Sequence, residues 1–557
     1  MNKDTYQLFG GKMFRQPLLH IQALKSIELK EAFEAVEGYA RRHYVLGYVS
    51  YQAKDVFLGK TFESETPLLY FEVFDRCYDY QAHPFRQSLC LFPQPQVDYP
   101  QYDKAIAAIK DEIACGNTYE LNYTYACKLP YKGDVYALFD SLSAQQQTPY
   151  QALIQNAYEE VLSFSPELFF SLEGNRIRTK PMKGTIARKT NEREDYRQRE
   201  ILKNDTKNRA ENVMIVDLLR NDLSKIAQTG SVKVNKLFEI ETYQTLHQMI
   251  SEVEASLHPD VSLYDIFQAI FPCGSVTGAP KIKTMELIDR IEKQPRDIYC
   301  GAIGLLSPEA CVFSVPIRIL QRKKGEKDFR YQVGGAVVWD SRPEEEWEET
   351  RIKSLFLTRN NPEFSLIETI KVEKFSMLFW EAHLQRMKLS AHALGFYFNP
   401  ELDKLQATQN GIMRIVLAKD GNYTIDYAAF EESTCDKVSL ACRGVDSTHP
   451  LLYHKTTYRP HYEESMLKIR RGEIYDELYY NEKDELTEGA RSNIILKIEG
   501  QYVTPKVESG LLNGIYRQKL LEQKFCVEKT LYVSDLYKAT HIFCVNAVRG
   551  IKKVRLL

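Results

Sequence analysis

Apolar and polar positions alternate with two different periods along this chain, and the change of period marks its elements. Ile27 to Arg42 reads as helix. Tyr44 to Val49 and Leu68 to Val73 are short apolar runs that read as strands. Pro93, Pro95 and Pro100 crowd the stretch 93–101, which reads as a linker, and a helix is expected over Tyr102 to Cys115. From Glu211 to Leu223 the apolar residues Ile215, Leu218 and Leu219 fall on one face of a helix. Asp340-Ser341-Arg342-Pro343, followed by acids, looks like a helix start with a capping hydroxyl, a proline in the first turn and carboxylates on the positive dipole end. That helix should reach about Thr358. Asn360-Asn361-Pro362 then breaks the pattern, so we divide the chain into a domain over 1–358, a linker over 359–363 and a smaller domain over 364–557. Both halves mix strand and helix without regular βαβ alternation, so the fold class expected is α+β.

Composition narrows the function classes. Of 557 residues 44% are apolar and 27% charged, as in an ordinary globular protein, and the net charge is −2. No basic field exists to hold nucleic acid or an anionic membrane, so an anionic substrate must be held by local charges or a metal. The 11 cysteines include no C-x-x-C pair, which argues against a structural zinc site. The opening residues lack the apolar core of a signal peptide, and no run of about 18 apolar residues is present to span a bilayer. A reducing cytoplasm with free, mostly buried thiols is the expectation.

Several charged residues sit where charge is costly. Glu211 shares the apolar face of its helix with Ile215 and Leu218. Glu346 and Glu349 lie three apart on the later helix, with Lys353 four residues on. Carboxylates from two helices have the chemistry to hold Mg²⁺, although acids in a first turn also decorate helix starts with no further role. Residues 271–281, FPCGSVTGAPK, form a glycine-rich turn ahead of a helix, a weak signal for anion binding. Arg318 stands in the strand-like run Val312 to Leu320, where its fork would suit a carboxylate, and Gly334-Gly335 permits close backbone approach.

Together these segments resemble a known family. SPE (165–167), PMKGT (181–185), RAENVMIVDLLRNDL (209–223), FPCGSVTGAPK (271–281), YCGAIG (299–304) and VGGAVVWDSRPEEEWEET (333–350) follow the order of the chorismate-utilising enzymes, the group of anthranilate, aminodeoxychorismate and isochorismate synthases. The resemblance implies a β-sandwich-like core with helices. It also implies Mg²⁺ on Glu211 and Glu349 with Glu346 close by, and substrate carboxylates held by Gly274, Ser275, Thr277, Gly278, Arg318, Tyr331, Gly334 and Gly335, with Lys353 alongside. His247 matches an active-site histidine, against the alternative of a satisfied core histidine. Lys183 separates the members: anthranilate synthases have no amine in that motif, whereas aminodeoxychorismate synthases do. The resemblance implies that Lys183 adds covalently to the substrate ring, assisted by Glu167 as the hydroxyl leaves, before ammonia replaces it. Such an amine must be neutral, so burial or a nearby cation is expected to lower its pKa. Glu120 departs from the pattern, since many relatives have Gln there.

The second half resembles the fold-type IV pyridoxal-phosphate enzymes, a group that includes branched-chain aminotransferases and 4-amino-4-deoxychorismate lyases. LIETI (366–370), HLQRM (383–387), HKTT (454–457), TEGARSNI (487–494), GLLNGIYR (510–517) and NAVRG (546–550) carry that likeness. It implies pyridoxal 5'-phosphate as cofactor, with Lys455 as the Schiff-base lysine and proton carrier. Glu488 is implied to pair the pyridine nitrogen, and Arg386 with the Gly514 and Ile515 amides to bind the phosphate. Relatives usually carry further residues before the LIETI motif, so the opening strands are lost or replaced here, and a homodimer through this domain is an open expectation. The fusion implies amination of chorismate followed by loss of pyruvate, giving 4-aminobenzoate for folate synthesis. No glutaminase motif of the G-x-C-x-G type is present, so ammonia is expected from a separate glutamine amidotransferase subunit. The rival readings are an anthranilate synthase joined to an aminotransferase, and a scaffold without activity.

Overall fold

The computed structural model describes residues 5–82, 89–189, 191–243 and 246–557. They form two compact units. The first comprises 5–82 with 95–359, and the second 89–94 with 360–557.

The first unit is built on two ten-stranded sheets whose strand pairs are antiparallel. One centres on the long pair Glu120–Pro130 and Asp328–Val337, in register from Pro130–Asp328 to Leu121–Val337. The other centres on Leu246–Ser256, which pairs with Met182–Ala187, Arg176–Lys180 and Lys233–Thr242. The sheets share one core, to which Phe14, Ile154 and Val161 come from the first and Tyr48, Phe71, Phe170 and Phe313 from the second. Helix Thr206–Ser224 begins earlier than the apolar pattern shows, because Asp205 caps it by accepting from the Asn208 amide. Helix Pro343–Thr358 matches the expected span, but Ser341 does not cap it. Its hydroxyl donates to Glu346 at 2.7 Å instead. The run Val312 to Leu320 is not one strand. Cys311–Ser314 belongs to one sheet and Ile319–Lys323 to the other, with Pro316 and a left-handed Arg318 (φ 56°) at the crossing.

In the second unit, Leu366–Glu373 alternates buried and less buried positions at period two, as a one-sided sheet requires. Its buried face, with Met413 and Ile415, packs on Met387, Ala391 and Leu394 of helix Trp380–Leu394. An eight-stranded mixed sheet completes the unit. The segment 89–94 also belongs here, although the prolines read as a linker. The Asn361 side chain accepts from the Leu91 amide at 3.0 Å and donates to the Leu91 carbonyl at 2.7 Å, and Phe92 meets Phe364 edge-on. Asn361 thus clamps a piece of earlier chain rather than only breaking a helix. All eleven cysteines are free thiols and seven are buried. No helix among the described residues is long and apolar enough to cross a membrane.

Candidate active sites

Lys183 lies in Met182–Ala187, where the pairing to Leu246–Ser256 slips between Met182 and Thr185. Gly184 makes the slip possible. Its φ is 78°, and a Cβ there would lie 2.7 Å from the Asn208 side chain. The Lys183 ammonium is buried and donates to Glu120 Oε1 at 2.6 Å, and Asn122 Nδ2 donates to the same oxygen at 3.3 Å. Burial presses the Lys183 pKa down, but the charges of Glu120, Glu211 and Glu167 outweigh it, and the net shift is upward. This corrects the expectation of a lowered pKa: the residues around the amine are anionic, a property that the PMKGT motif alone does not reveal.

Glu167 is buried, its amide donates to Ser165 Oγ at 3.1 Å, and its carboxylate accepts a 2.6 Å hydrogen bond from Ser275. Burial pushes its carboxyl up to about 7, partly offset by Ser275 and Lys183. Glu211 is pushed up to about 7 as well, by burial first; Lys183 and Lys207 oppose the rise, while Glu120 and Glu346 add to it. Glu346 is buried, accepts from Ser341, and lies 3.5 Å from Lys207. Glu349, exposed on its helix, pairs with Lys353 at 2.6 Å, which holds its carboxyl below the usual range. A Cβ on Gly335 would meet Glu346, Lys353 and Glu349 at 3.5, 3.6 and 3.7 Å, so this glycine leaves room where the three side chains converge. Among the described residues no three His, Cys, Asp or Glu side chains are grouped as an ion cage. Two of the acids expected to bind metal, Glu346 and Glu349, have lysine partners.

On the other flank, Lys353 donates to the Gly334 carbonyl at 2.9 Å, and the Tyr331 hydroxyl donates to the Lys353 carbonyl at 3.2 Å. Gly334 is needed where the strands meet, since a Cβ would lie 2.0 Å from the Tyr123 carbonyl. Arg318 is half-buried and its guanidinium has no hydrogen-bonded partner among the described residues. Burial lowers its pKa, opposed by Tyr331 and Tyr243. Gly274 and Ser275 lie in a 3-10 turn, after which Gly278 pairs with Leu121 beside Glu120. Thr277 spends its hydroxyl within this turn, on the Cys273 carbonyl at 3.1 Å. His247 is fully buried and both ring nitrogens are engaged, one with Asp195 at 3.0 Å and the other with Thr242 at 2.9 Å. Asp195 also takes a two-pronged contact from Arg188. This is the arrangement of a satisfied core histidine.

In the second unit, the Lys455 carbonyl accepts from the Ile367 amide at 3.0 Å, which fixes the lysine beside Leu366–Glu373. Burial and then Arg386 bring its pKa down to about 8, with Arg459 adding to the fall and Glu368 and Glu488 opposing it. Arg386 grips Glu368 with Nε at 2.8 Å and Nη2 at 2.6 Å, and His383 Nδ1 meets the same carboxylate at 2.6 Å. Arg386, expected to be free for a phosphate, therefore has two of its donors committed. Glu488 is buried, its carboxyl pushed up to about 7, and it accepts from Tyr462 at 3.1 Å. Gly514 precedes helix Ile515–Glu522, and a Cβ on it would lie 2.0 Å from Asn493 Oδ1. Glu120, Lys207, Arg459 and Tyr462 were not singled out as site residues from the sequence. Only Glu120 gave a signal, as a departure from its relatives.

Comparison with known proteins agrees with both halves. The model of the chorismate binding enzyme family matches residues 79–359, and that of class IV amino-transferases matches 365–557. Aminodeoxychorismate synthase component 1 of Salmonella typhimurium is 37% identical over 251 residues, 45% of this chain and 55% of its own length. Anthranilate synthase component 1 of Aquifex aeolicus is 34% identical over 259 residues, 46% of this chain and 52% of its own. The chain thus spans about half the length of these curated relatives. The crystal structure of anthranilate synthase component I from Streptococcus pneumoniae superposes with a TM-score of 0.55 at 21% identity, covering 64% of this chain and 93% of that one, which establishes a shared fold. The chain belongs to the chorismate binding enzyme family, and carries a class IV amino-transferase region after it.

Proposed function

We propose that the first unit converts chorismate and ammonia into 4-amino-4-deoxychorismate, and that the second removes pyruvate from that product to leave 4-aminobenzoate. The observation that carries the reading is Lys183, a buried amine with the Glu167 carboxyl held near neutrality in the same site. Arg318, without a partner among the described residues, takes a substrate carboxylate. Lys183 adds to the ring, and protonated Glu167 gives its proton to the departing hydroxyl. The hard oxygens of Glu211, Glu346 and Glu349 fit Mg²⁺, which would reverse the local sign ahead of a dianionic substrate. Chorismate consumption should then stop in excess EDTA.

In the second unit a near-neutral Lys455, a buried Glu488 and the Gly514–Ile515 amides at a helix start fit pyridoxal phosphate. Bound there, the cofactor supplies an electron sink for loss of the C4 proton. Lys455 would receive that proton, and Glu488, the Gly514–Ile515 amides and the remaining Arg386 donors are the residues that would hold the cofactor. Ammonia reaches the chain from a separate glutamine amidotransferase, so glutamine alone should not support turnover while ammonium salts should. The test is chromatography after incubation with chorismate, ammonium, Mg²⁺ and pyridoxal phosphate. 4-Aminobenzoate and pyruvate are expected. Anthranilate as the main product would instead favour the rival synthase, against which Lys183 stands.

A further inference from the structure

Glu120 has no role in the scheme above, yet it is the carboxylate to which the Lys183 ammonium is hydrogen-bonded. It is fully buried, receives the only side-chain hydrogen bond that Lys183 makes among the described residues, and keeps a second buried oxygen, Oε2, with no partner there. Its backbone is fixed independently. Glu120 pairs with Ala279 across the sheet, and its carbonyl accepts from Thr118. Glu211 and Glu167 act on Lys183 through charge alone, so without Glu120 the amine would be drawn toward either of them.

We infer that Glu120 is a positioning residue that holds the Lys183 nitrogen over the ring carbon it attacks, and so decides which ring carbon finally receives ammonia. The inference rests on the proposed amination. In the attack the Nζ proton passes along the hydrogen bond to Glu120 Oε1 and the Nζ–C2 bond forms. The double bonds shift and the C4–O bond breaks, the oxygen leaving as water with the proton of Glu167. Ammonia then bonds to C4 while the Nζ–C2 bond breaks, its electron pair returning to Nζ. Glu120 returns its proton to Lys183, and the new C4 ammonium gives one to Glu167. If Nζ is out of place, C2 stays open, and ammonia, the smaller nucleophile, can add there itself with loss of the same hydroxyl. Nitrogen then ends on C2 rather than C4.

The test compares the wild type with Glu120→Leu and Glu120→Gln, given chorismate and ammonium. It measures C2-aminated product against the sum of 4-amino-4-deoxychorismate and 4-aminobenzoate. In Glu120→Leu the C2 share should rise about tenfold or more, the scale on which misplacing reacting groups changes rates. Glu120→Gln keeps an oxygen acceptor and should shift the ratio less, by about threefold. A merely structural glutamate would lower both products together. An unchanged ratio in a Glu120→Leu chain with native circular dichroism overturns the inference. If that variant fails to fold, Glu120→Gln decides, and an unshifted ratio there overturns it equally. A wild-type chain that places no nitrogen on chorismate removes the proposed function itself, which is a different result from an unshifted ratio.

Discussion

Lys183 is buried and Lys455 half-buried, and desolvation presses both toward the neutral amine, yet their pKa values move in opposite directions. Around Lys183 the acting charges are Glu120, Glu211 and Glu167, and they hold the proton on. Around Lys455 two arginines press the proton off. The nearby Glu368 is taken up by Arg386 and His383, which hold its carboxyl down to about 2 despite burial. The partner charges, and not the depth of burial, decide the sign. Lys455 therefore lies closer to the neutral amine, whereas in the proposed attack Lys183 must first lose its proton to a neighbour.

The largest effect that tests this comparison is removal of each amine in turn. Lys455→Ala should lose the absorbance of lysine-bound cofactor and stop 4-aminobenzoate formation while chorismate is still aminated. Lys183→Ala should bind cofactor normally and turn over supplied 4-amino-4-deoxychorismate. Its production of 4-aminobenzoate from chorismate should fall by several powers of ten, as loss of a covalent nucleophile commonly does. Full retention of either lost activity, measured by chromatography, would contradict the assignment.

Next comes Glu167. Its carboxyl, raised from its ordinary value to about 7, is protonated below that pH and can donate. The rate of chorismate consumption should therefore fall as pH rises through about 7. Glu167→Gln should cost about a hundredfold or more and remove that limb of the profile. An unaltered profile in this variant would assign the proton to another group.

The smallest effect concerns Arg459, which has no ion pair among the described residues but adds to the depression of Lys455. Arg459→Gln should move the Lys455 titration upward by less than about one unit, read from the pH dependence of amine labelling in the cofactor-free chain. An unshifted titration would mean that its charge does not reach the lysine.

The elements visible in the sequence were those whose period local residues dictate. Tyr44–Val49 occupies the span its apolar run predicts, and Pro343–Thr358 starts at its proline. Val312 to Leu320 misled because a continuous apolar run carries no mark of the place where it leaves one sheet for another. The α+β class was legible, but the docking of 89–94 into the second unit was not. It depends on Asn361, some 270 residues later. The same distance in sequence hid the charge partners. Lys183 and Glu120 are 63 residues apart and Asp195 and His247 are 52 apart, and no local pattern pairs them. The motifs named the candidate side chains, while the charges that set their protonation came only from the fold.

The central claim is that two complete, chemically separate sites act in succession. It is tested most directly by mixing purified Lys183→Ala and Lys455→Ala chains with chorismate, ammonium, Mg²⁺ and pyridoxal phosphate. Neither variant alone should give 4-aminobenzoate at an appreciable rate. The mixture should restore it, with 4-amino-4-deoxychorismate passing through solution from one chain to the other. A mixture as inactive as its components, with both chains folded and the second loaded with chorismate still failing to consume it, would contradict the account.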